Sequence, residues 1–206
     1  MKAIAKETAP RKLPTQPRAR VTVECILQAA ESIISKQGYD YATTNHIAEV
    51  AGVSIGTIYQ YFPRKEAILA ALIEDVVIKS SAPVRQQLLA CMHEPLAQCN
   101  PGIMRLLLLT RKKNATIFKH LHREGPDVDA SRVSLTPETF LYPTVRSFYL
   151  HHRDEIKIEN LDMAMAVVEY MVVGGINSYL EDPAPALTDD EFADQLANAV
   201  TKYLTT

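Results

Sequence analysis

An all-α fold is what the sequence predicts, and three observations predict it. Seven glycines in 206 residues are few for a sheet-rich chain with many tight turns. No Val/Ile/Thr alternation of period two recurs along the chain. Apolar residues instead return at three- and four-residue spacing, in segments separated by Pro, Gly and Asn. Hydrophobic residues make up 47% and charged residues 22%, as in ordinary soluble globular proteins. The length suits one sizeable core, or a small module fused to a larger domain.

Taken in order, residues 1–17 hold three prolines without periodicity and read as a flexible basic arm. From Arg18 to Gln37, Val21, Ile26, Ala29/Ala30 and Ile33/Ile34 recur at helical spacing, and Gly38 follows as a stop. Thr43 or Thr44 then offers an N-cap for a short helix at about 44–51, with Ile47, Val50 and Ala51 as its buried stripe. Gly52 breaks that helix and Ser54 caps the next, IGTIYQYF, which makes two turns at most. Pro63 ends it and opens another helix over about 64–79. Three helices in about 45 residues, with the turn AGVS between the second and third, form a helix-turn-helix. Val53, Ile58 and Phe62 face inward. Ser54, Ile55, Gly56, Thr57, Tyr59, Gln60 and Tyr61 are left on or near the outer face, a surface that makes sense against DNA.

The charge distribution agrees. Residues 1–65 carry nine Lys/Arg against five Asp/Glu, and the remainder thirteen against nineteen. A basic head on an acidic body points to a polyanion partner for the head. A solvated tail is the plain alternative for the first twenty residues taken alone. Cys25, Cys91 and Cys99 are irregularly spaced, which argues against a disulfide framework and for a reducing compartment. Cys91, His93 and Cys99 match no common zinc spacing, and the neighbours in HLH (120–122) and HH (151–152) do not share a helix face. No metal and no cofactor is expected. The N-terminus lacks the apolar core of a signal peptide, and LLLL at 106–109 is far too short for a bilayer. A cytoplasmic protein without a membrane partner is expected.

The stretch TTNHIAEVAGVSIGTIYQYFPRKEAIL resembles the DNA-binding signature of the TetR (tetracycline-repressor) family of bacterial transcriptional regulators. The likeness covers about residues 22–70, with the Thr pair, IA, AGVS, GT.Y..F and KE in register. It implies an N-terminal DNA-binding domain (18–65), a helical effector-binding and dimerisation domain (66–206), and helix 64–79 linking them. It further implies a homodimer on a palindromic double-stranded operator, most simply as a repressor released by a small-molecule effector. By the same resemblance Thr44 and Asn45 touch DNA from the first short helix. Ser54, Ile55, Gly56, Thr57, Tyr59, Gln60 and Tyr61 lie on the recognition helix, and Lys65 on the first turn of the next. The chain departs from the family pattern at Tyr61, often His, and at Ile55, often polar, so base preference is not carried over there. Chemically, Tyr59, Tyr61 and Lys65 suit phosphate contact, while Thr57 and Gln60 can bond base edges and Ile55 can pack on a thymine methyl. For Tyr61 packing against the first helix is the alternative; for Thr44 a cap and a contact can coexist.

Beyond Pro83 the sequence reads as helices at about 83–93, 101–124, 137–152, 160–180 and 188–204, the last behind a TDDE capping box. Six residues near apolar helices are candidates to line a pocket for a largely apolar effector: His120, Tyr142, Tyr149, Glu169, Tyr170 and Asn177. Each also has an ordinary reading as a surface or core residue. The 160–180 helix is apolar almost all round, and with the stripe of the last helix it is expected to form the dimer interface, at Gly174, Gly175, Phe192, Leu196 and Val200. Close packing of Gly174-Gly175 inside the subunit, against 101–124, is the alternative. Two rival functions stand beside the regulator. One is a helical-bundle enzyme or carrier with an incidental helix-turn-helix, against which no Ser/His/Asp order, phosphate-cradling loop or Glu-x-x-His motif is found. The other is a nucleoid-type binder without sequence preference. No enzymatic activity is expected.

Overall fold

The computed structural model describes residues 17–117, 137–182 and 187–206. Every regular element among them is helical: α1 (Pro17–Gln37), a 3-10 turn (Tyr39–Tyr41), α2 (Thr44–Ala51), α3 (Ile55–Tyr61), α4 (Lys65–Ala90), α5 (Leu96–Lys113), α6 (Pro137–His151), α7 (Leu161–Glu181) and α8 (Asp189–Thr205). The chain divides into two compact units, residues 1–77 with 114–135, and residues 78–113 with 136–206. The division falls inside α4, after Val77.

In the first unit α1 buries Ile26, Leu27, Ala29, Ala30, Ile33 and Ile34. Gly38, with φ of 98°, turns the chain out of α1. Thr43, not Thr44, is the N-cap of α2, and its side chain accepts from the His46 N–H. The inner face of α2 is Ile47 and Ala48; Val50, expected inside, is 49% exposed. A helix this short turns only one narrow face inward, and Ile47 with the adjacent Ala48 already fills it.

One expected helix break is absent, and one expected helix start is displaced. Pro83 lies inside α4, which runs unbroken from Lys65 to Ala90, and Pro101 lies inside α5, which begins at Leu96. An interior proline costs about 3 kcal/mol in an isolated helix. After Pro83, however, Val84, Leu88 and Cys91 are all buried, and after Pro101 so are Ile103, Met104 and Leu108. Burying a side chain of this size contributes about 1.5–3 kcal/mol, so packing outweighs the local penalty. The start of α5 is fixed by the Glu155 carboxylate, which accepts from the Leu96 N–H at 3.1 Å.

In the second unit α8 packs along α5. Arg105 reaches Asp190 at 3.1 Å and Asp194 at 2.6 Å, Lys112 reaches Asp189 at 2.6 Å, and Asn100 donates to Thr201 at 2.7 Å. Tyr179 of α7 donates to Asp189 at 2.9 Å and its ring stacks on Phe192 at 4.2 Å. The capping box at Thr188 and Glu191 forms as the sequence predicts. Cys91 and Cys99 are buried, and each thiol donates to a backbone carbonyl at 3.0 Å. Burial pushes the Cys99 thiol up to about 12, which fits an inert apolar filler. By length and composition α7 is apolar enough to cross a membrane. Here Ala164, Met165, Val168, Val172, Ile176 and Tyr179 supply one face of the core instead.

The interface expectation needs correction at two positions, Val200 and Gly175. Val200 is fully buried within its own subunit, so it is a core residue and is not available to a second copy. A Cβ at Gly175 would lie 3.7 Å from Leu196 and 3.9 Å from Phe192, whereas one at Gly174 meets nothing within 4 Å. The two glycines thus point different ways. Gly175 faces α8 of the same chain, with Phe192 and Leu196 packed against the core there, and Gly174 faces outward.

The N-terminus of α8 makes acid sensitivity predictable. The Lys112 ammonium, followed by the Tyr179 hydroxyl, holds Asp189 below its ordinary value, and Thr188 does the same for Glu191. Carboxyls lowered on folding contribute stability that is complete above about pH 4–5 and is lost as pH falls through their folded values. The urea midpoint should therefore decline below about pH 4, and Asp189→Asn combined with Glu191→Gln should lower it at neutral pH while flattening that decline. Denaturation series from pH 6 to pH 2.5 check this.

Candidate nucleic-acid interface

The site is built on a seven-residue helix that cannot stand alone, since isolated helices below about 12–15 residues are marginal in water. Its inward anchors are Ile58 and Phe62, both 0% exposed. Its start is set from two sides. Gly52 adopts the left-handed conformation (φ 66°, ψ 30°), which glycine takes without a Cβ penalty, and Val53 N–H returns to the Ala48 carbonyl at 3.0 Å. Ser54 then caps α3, accepting from the Thr57 N–H at 3.0 Å.

With those anchors fixed, Ser54, Ile55, Gly56, Tyr59 and Gln60 are exposed, and Thr57 and Tyr61 are half-buried. Ile55 and Tyr59 are large side chains left in solvent, at 38% and 45% exposure. On α2, Asn45 is exposed and Thr44 half-buried. Because Thr43 takes the capping role, the hydroxyl of Thr44 is not needed for it.

Two expected contact residues turn out to be engaged within the protein. The Thr57 hydroxyl lies 2.8 Å from Ser54 Oγ, so it shares its hydrogen bonding with the cap. The Lys65 ammonium donates to the Tyr39 carbonyl at 2.9 Å and sits 3.6 Å from the centre of the Tyr39 ring. Nothing in a one-dimensional reading pairs positions 26 apart; the only cue was the aromatic residue directly after Gly38. Of the pocket candidates, Tyr149 is buried and desolvation pushes its phenol up, while Asn177 is half-buried. Tyr142, Glu169 and Tyr170 are exposed, Tyr170 by 81%, so among the described residues the two tyrosine rings and the carboxylate do not line an interior. His120 lies outside the described residues.

A short α2, a left-handed glycine turn and a capped α3 with a polar outer face are the parts of a helix-turn-helix that reads the major groove. Residues 26–72 match the family model described as bacterial regulatory proteins, tetR family. Residues 26–72 are thus a DNA-binding head of the tetR type. An uncharacterized HTH-type transcriptional regulator, YvdT, of Bacillus subtilis (strain 168) is 37% identical over 65 residues, 32% of this chain and 34% of that protein. The chain thus spans about a third of the length of that curated relative. Two solved structures share the fold over nearly the whole chain. The fatty acid degradation regulator FadR from Bacillus halodurans superposes with a TM-score of 0.66 at 15% identity, covering 92% of this chain and 97% of that one. RolR in complex with its ligand resorcinol gives 0.62 at 21% identity, covering 91% and 89%.

If the exposed face of α3 contacts DNA, reading and holding should separate there. Gln60→Ala should lose about 1–3 kcal/mol of operator affinity and leave random-sequence affinity unchanged. Tyr59→Phe should instead weaken both duplexes in equal proportion, since phosphate contacts carry no sequence information. Titrations of labelled duplexes with each variant check the contrast.

Proposed function

We propose that the protein is a ligand-responsive transcriptional repressor that binds a palindromic operator as a homodimer in the cytoplasm and is released by a small, largely apolar molecule. The outward face of α3 carries the reading: Ile55, Gly56, Tyr59 and Gln60 are offered to solvent on a helix whose other side is fully buried. In the bound state Gln60 bonds a base edge, most naturally adenine, and Ile55 packs on a thymine methyl. Gly56 lets the helix backbone come close. Tyr59, Tyr61, Asn45 and the free N–H groups at the start of α2 hold phosphates and so set the register. A dimer covering such a site obstructs transcription by occupancy alone.

The dimer reading rests on α7. Met163 (56% exposed), Ala166, Tyr170 and Gly174 follow one another at three- and four-residue spacing on its outer side, apolar or small throughout. Such a stripe is covered most simply by the same stripe of a second copy, and the open space at Gly174 permits the two backbones to approach. The effector reading rests on the second unit, where Tyr149 keeps a protonated phenol among hydrocarbon neighbours and so has a hydrogen bond to give. It is further supported by the fold shared with RolR, whose structure is described with bound resorcinol.

Selection from a random duplex pool, followed by footprinting, tests the function. A palindrome with half-site centres about 34 Å apart or somewhat more is expected, bound roughly 10³-fold or more above random DNA. A single asymmetric half-site, or no preference, refutes it. Tyr170→Asp should sediment as a folded monomer of normal helicity and bind that palindrome at least about tenfold more weakly, since a monomer reads half the site.

A further inference from the structure

We propose that the hydroxyls of Ser81 and Tyr149 are the two polar groups that hold the effector, and that this effector is an uncharged, mainly apolar molecule carrying a hydroxyl or carbonyl for each. The inference rests on the effector reading of the second unit. Buried polar groups in native proteins are almost always hydrogen-bonded, and these two hydroxyls are exceptions. Ser81 is 1% exposed, and its Oγ has no hydrogen-bond partner. A serine inside a helix ordinarily donates to a carbonyl one turn back; this one does not. Tyr149 is 5% exposed. Burial alone pushes its phenol up, with no hydrogen bond contributing, so the hydroxyl stays protonated and has a proton to donate.

The other buried polar side chains described in the second unit are occupied. Asn100 donates to Thr201 at 2.7 Å, and the Tyr179 hydroxyl donates to Asp189 at 2.9 Å. The two ring nitrogens of His152 each lie 2.8 Å from a backbone carbonyl, that of Phe148 and that of Glu94. Both buried thiols donate to carbonyls, and Arg111 is engaged as well. Among the described residues, Ser81 and Tyr149 therefore hold the unspent bonding capacity of this interior. They also border one apolar body. Val84 and Leu88 follow Ser81 by three and seven residues, hence on the same face of α4, and both belong to the core that contains Tyr149. A molecule taken into that core meets hydrocarbon on most sides and a hydroxyl at two points, the usual make-up of a small-molecule site. A hydroxyl both donates and accepts, so each suits a hydroxyl or a carbonyl oxygen. A carboxylate would instead bury a charge where the buried guanidinium, Arg111, is already engaged.

A hydroxyl kept for a ligand and one kept for the fold respond differently to removal. Ser81→Ala and Tyr149→Phe each delete one oxygen from the full chain. Without any added compound, the urea midpoint of each variant should equal or exceed that of the wild type, because the group removed has no partner to lose. Alanine also favours a helix, so Tyr149→Phe is the stricter of the two. A lowered midpoint for Tyr149→Phe means that the hydroxyl already has a structural partner, water included, and overturns the proposal. Binding is then measured by calorimetry with two pairs of probes, each pair on one skeleton: terminal decanediol with decanedioic acid, and dihydroxybiphenyl with biphenyl dicarboxylate. The expected result is a diol bound by the wild type and held about tenfold or more weakly by each variant, with its diacid bound worse than the diol. Undiminished diol affinity in either variant, preference for a diacid, or no binding of any probe overturns the proposal. Release of the selected palindrome by a compound whose affinity neither substitution alters leaves the effector reading standing while this one falls. If the wild-type chain selects no operator, the proposed function has failed, and the two variants still decide the hydroxyls through stability and probe binding.

Discussion

The burial of Ile58 and Phe62 is the constraint on which the rest of the head depends. A two-turn helix has too few internal hydrogen bonds to persist, so α3 exists because these two side chains are 0% exposed in the first unit. At 100° per residue, fixing positions 58 and 62 fixes where every other α3 side chain points. Ile55, Tyr59 and Gln60 are outward as a consequence. An isoleucine and a tyrosine are thereby left 38% and 45% exposed. The buried anchor and the exposed face are thus two sides of one geometric fact.

The same logic holds for the turn into α3, whose geometry two residues set. Gly52 sits at φ 66°, and Ser54 spends its side chain on the Thr57 N–H. The first sets the angle between α2 and α3, and the second sets where α3 begins. A non-glycine at position 52 is strained by its backbone alone, although no neighbour lies within 4 Å of a Cβ there. Steric room is therefore not what selects glycine; backbone conformation is.

Much of this head was legible in the sequence because its signals are local. A cap is read from a hydroxyl three residues ahead of its acceptor, and a left-handed turn from a glycine between two apolar runs. Ser54, Gly52 and the Thr188–Glu191 capping box are all of that kind. The division between Thr43 and Thr44 was not resolvable, since either hydroxyl precedes a helix and only the backbone conformation distinguishes them. Pro83 and Pro101 misled for a related reason. Proline reports a local cost, while Val84, Leu88, Ile103 and Met104 supply a compensating burial that depends on what packs opposite. Likewise the sequence offers Lys65 as a phosphate contact and gives no sign of its pairing with Tyr39, 26 positions earlier.

The second unit shows where periodicity stops being informative. Along α7 apolar residues cover nearly the whole circumference, so spacing alone does not say which stripe meets the subunit's own core and which is left over. The structure divides them. Ala164, Met165, Val168, Val172 and Ile176 face inward, and Met163, Ala166, Tyr170 and Gly174 face out. Adjacent glycines take opposite sides because a 100° step separates them: Gly175 lies over Leu196 and Phe192, and Gly174 over nothing. Val200 belongs to the inner set, where a charge would sit unpaired in hydrocarbon. An interface is therefore to be sought among side chains that folding leaves exposed, and on α7 the larger apolar ones are Met163 and Tyr170.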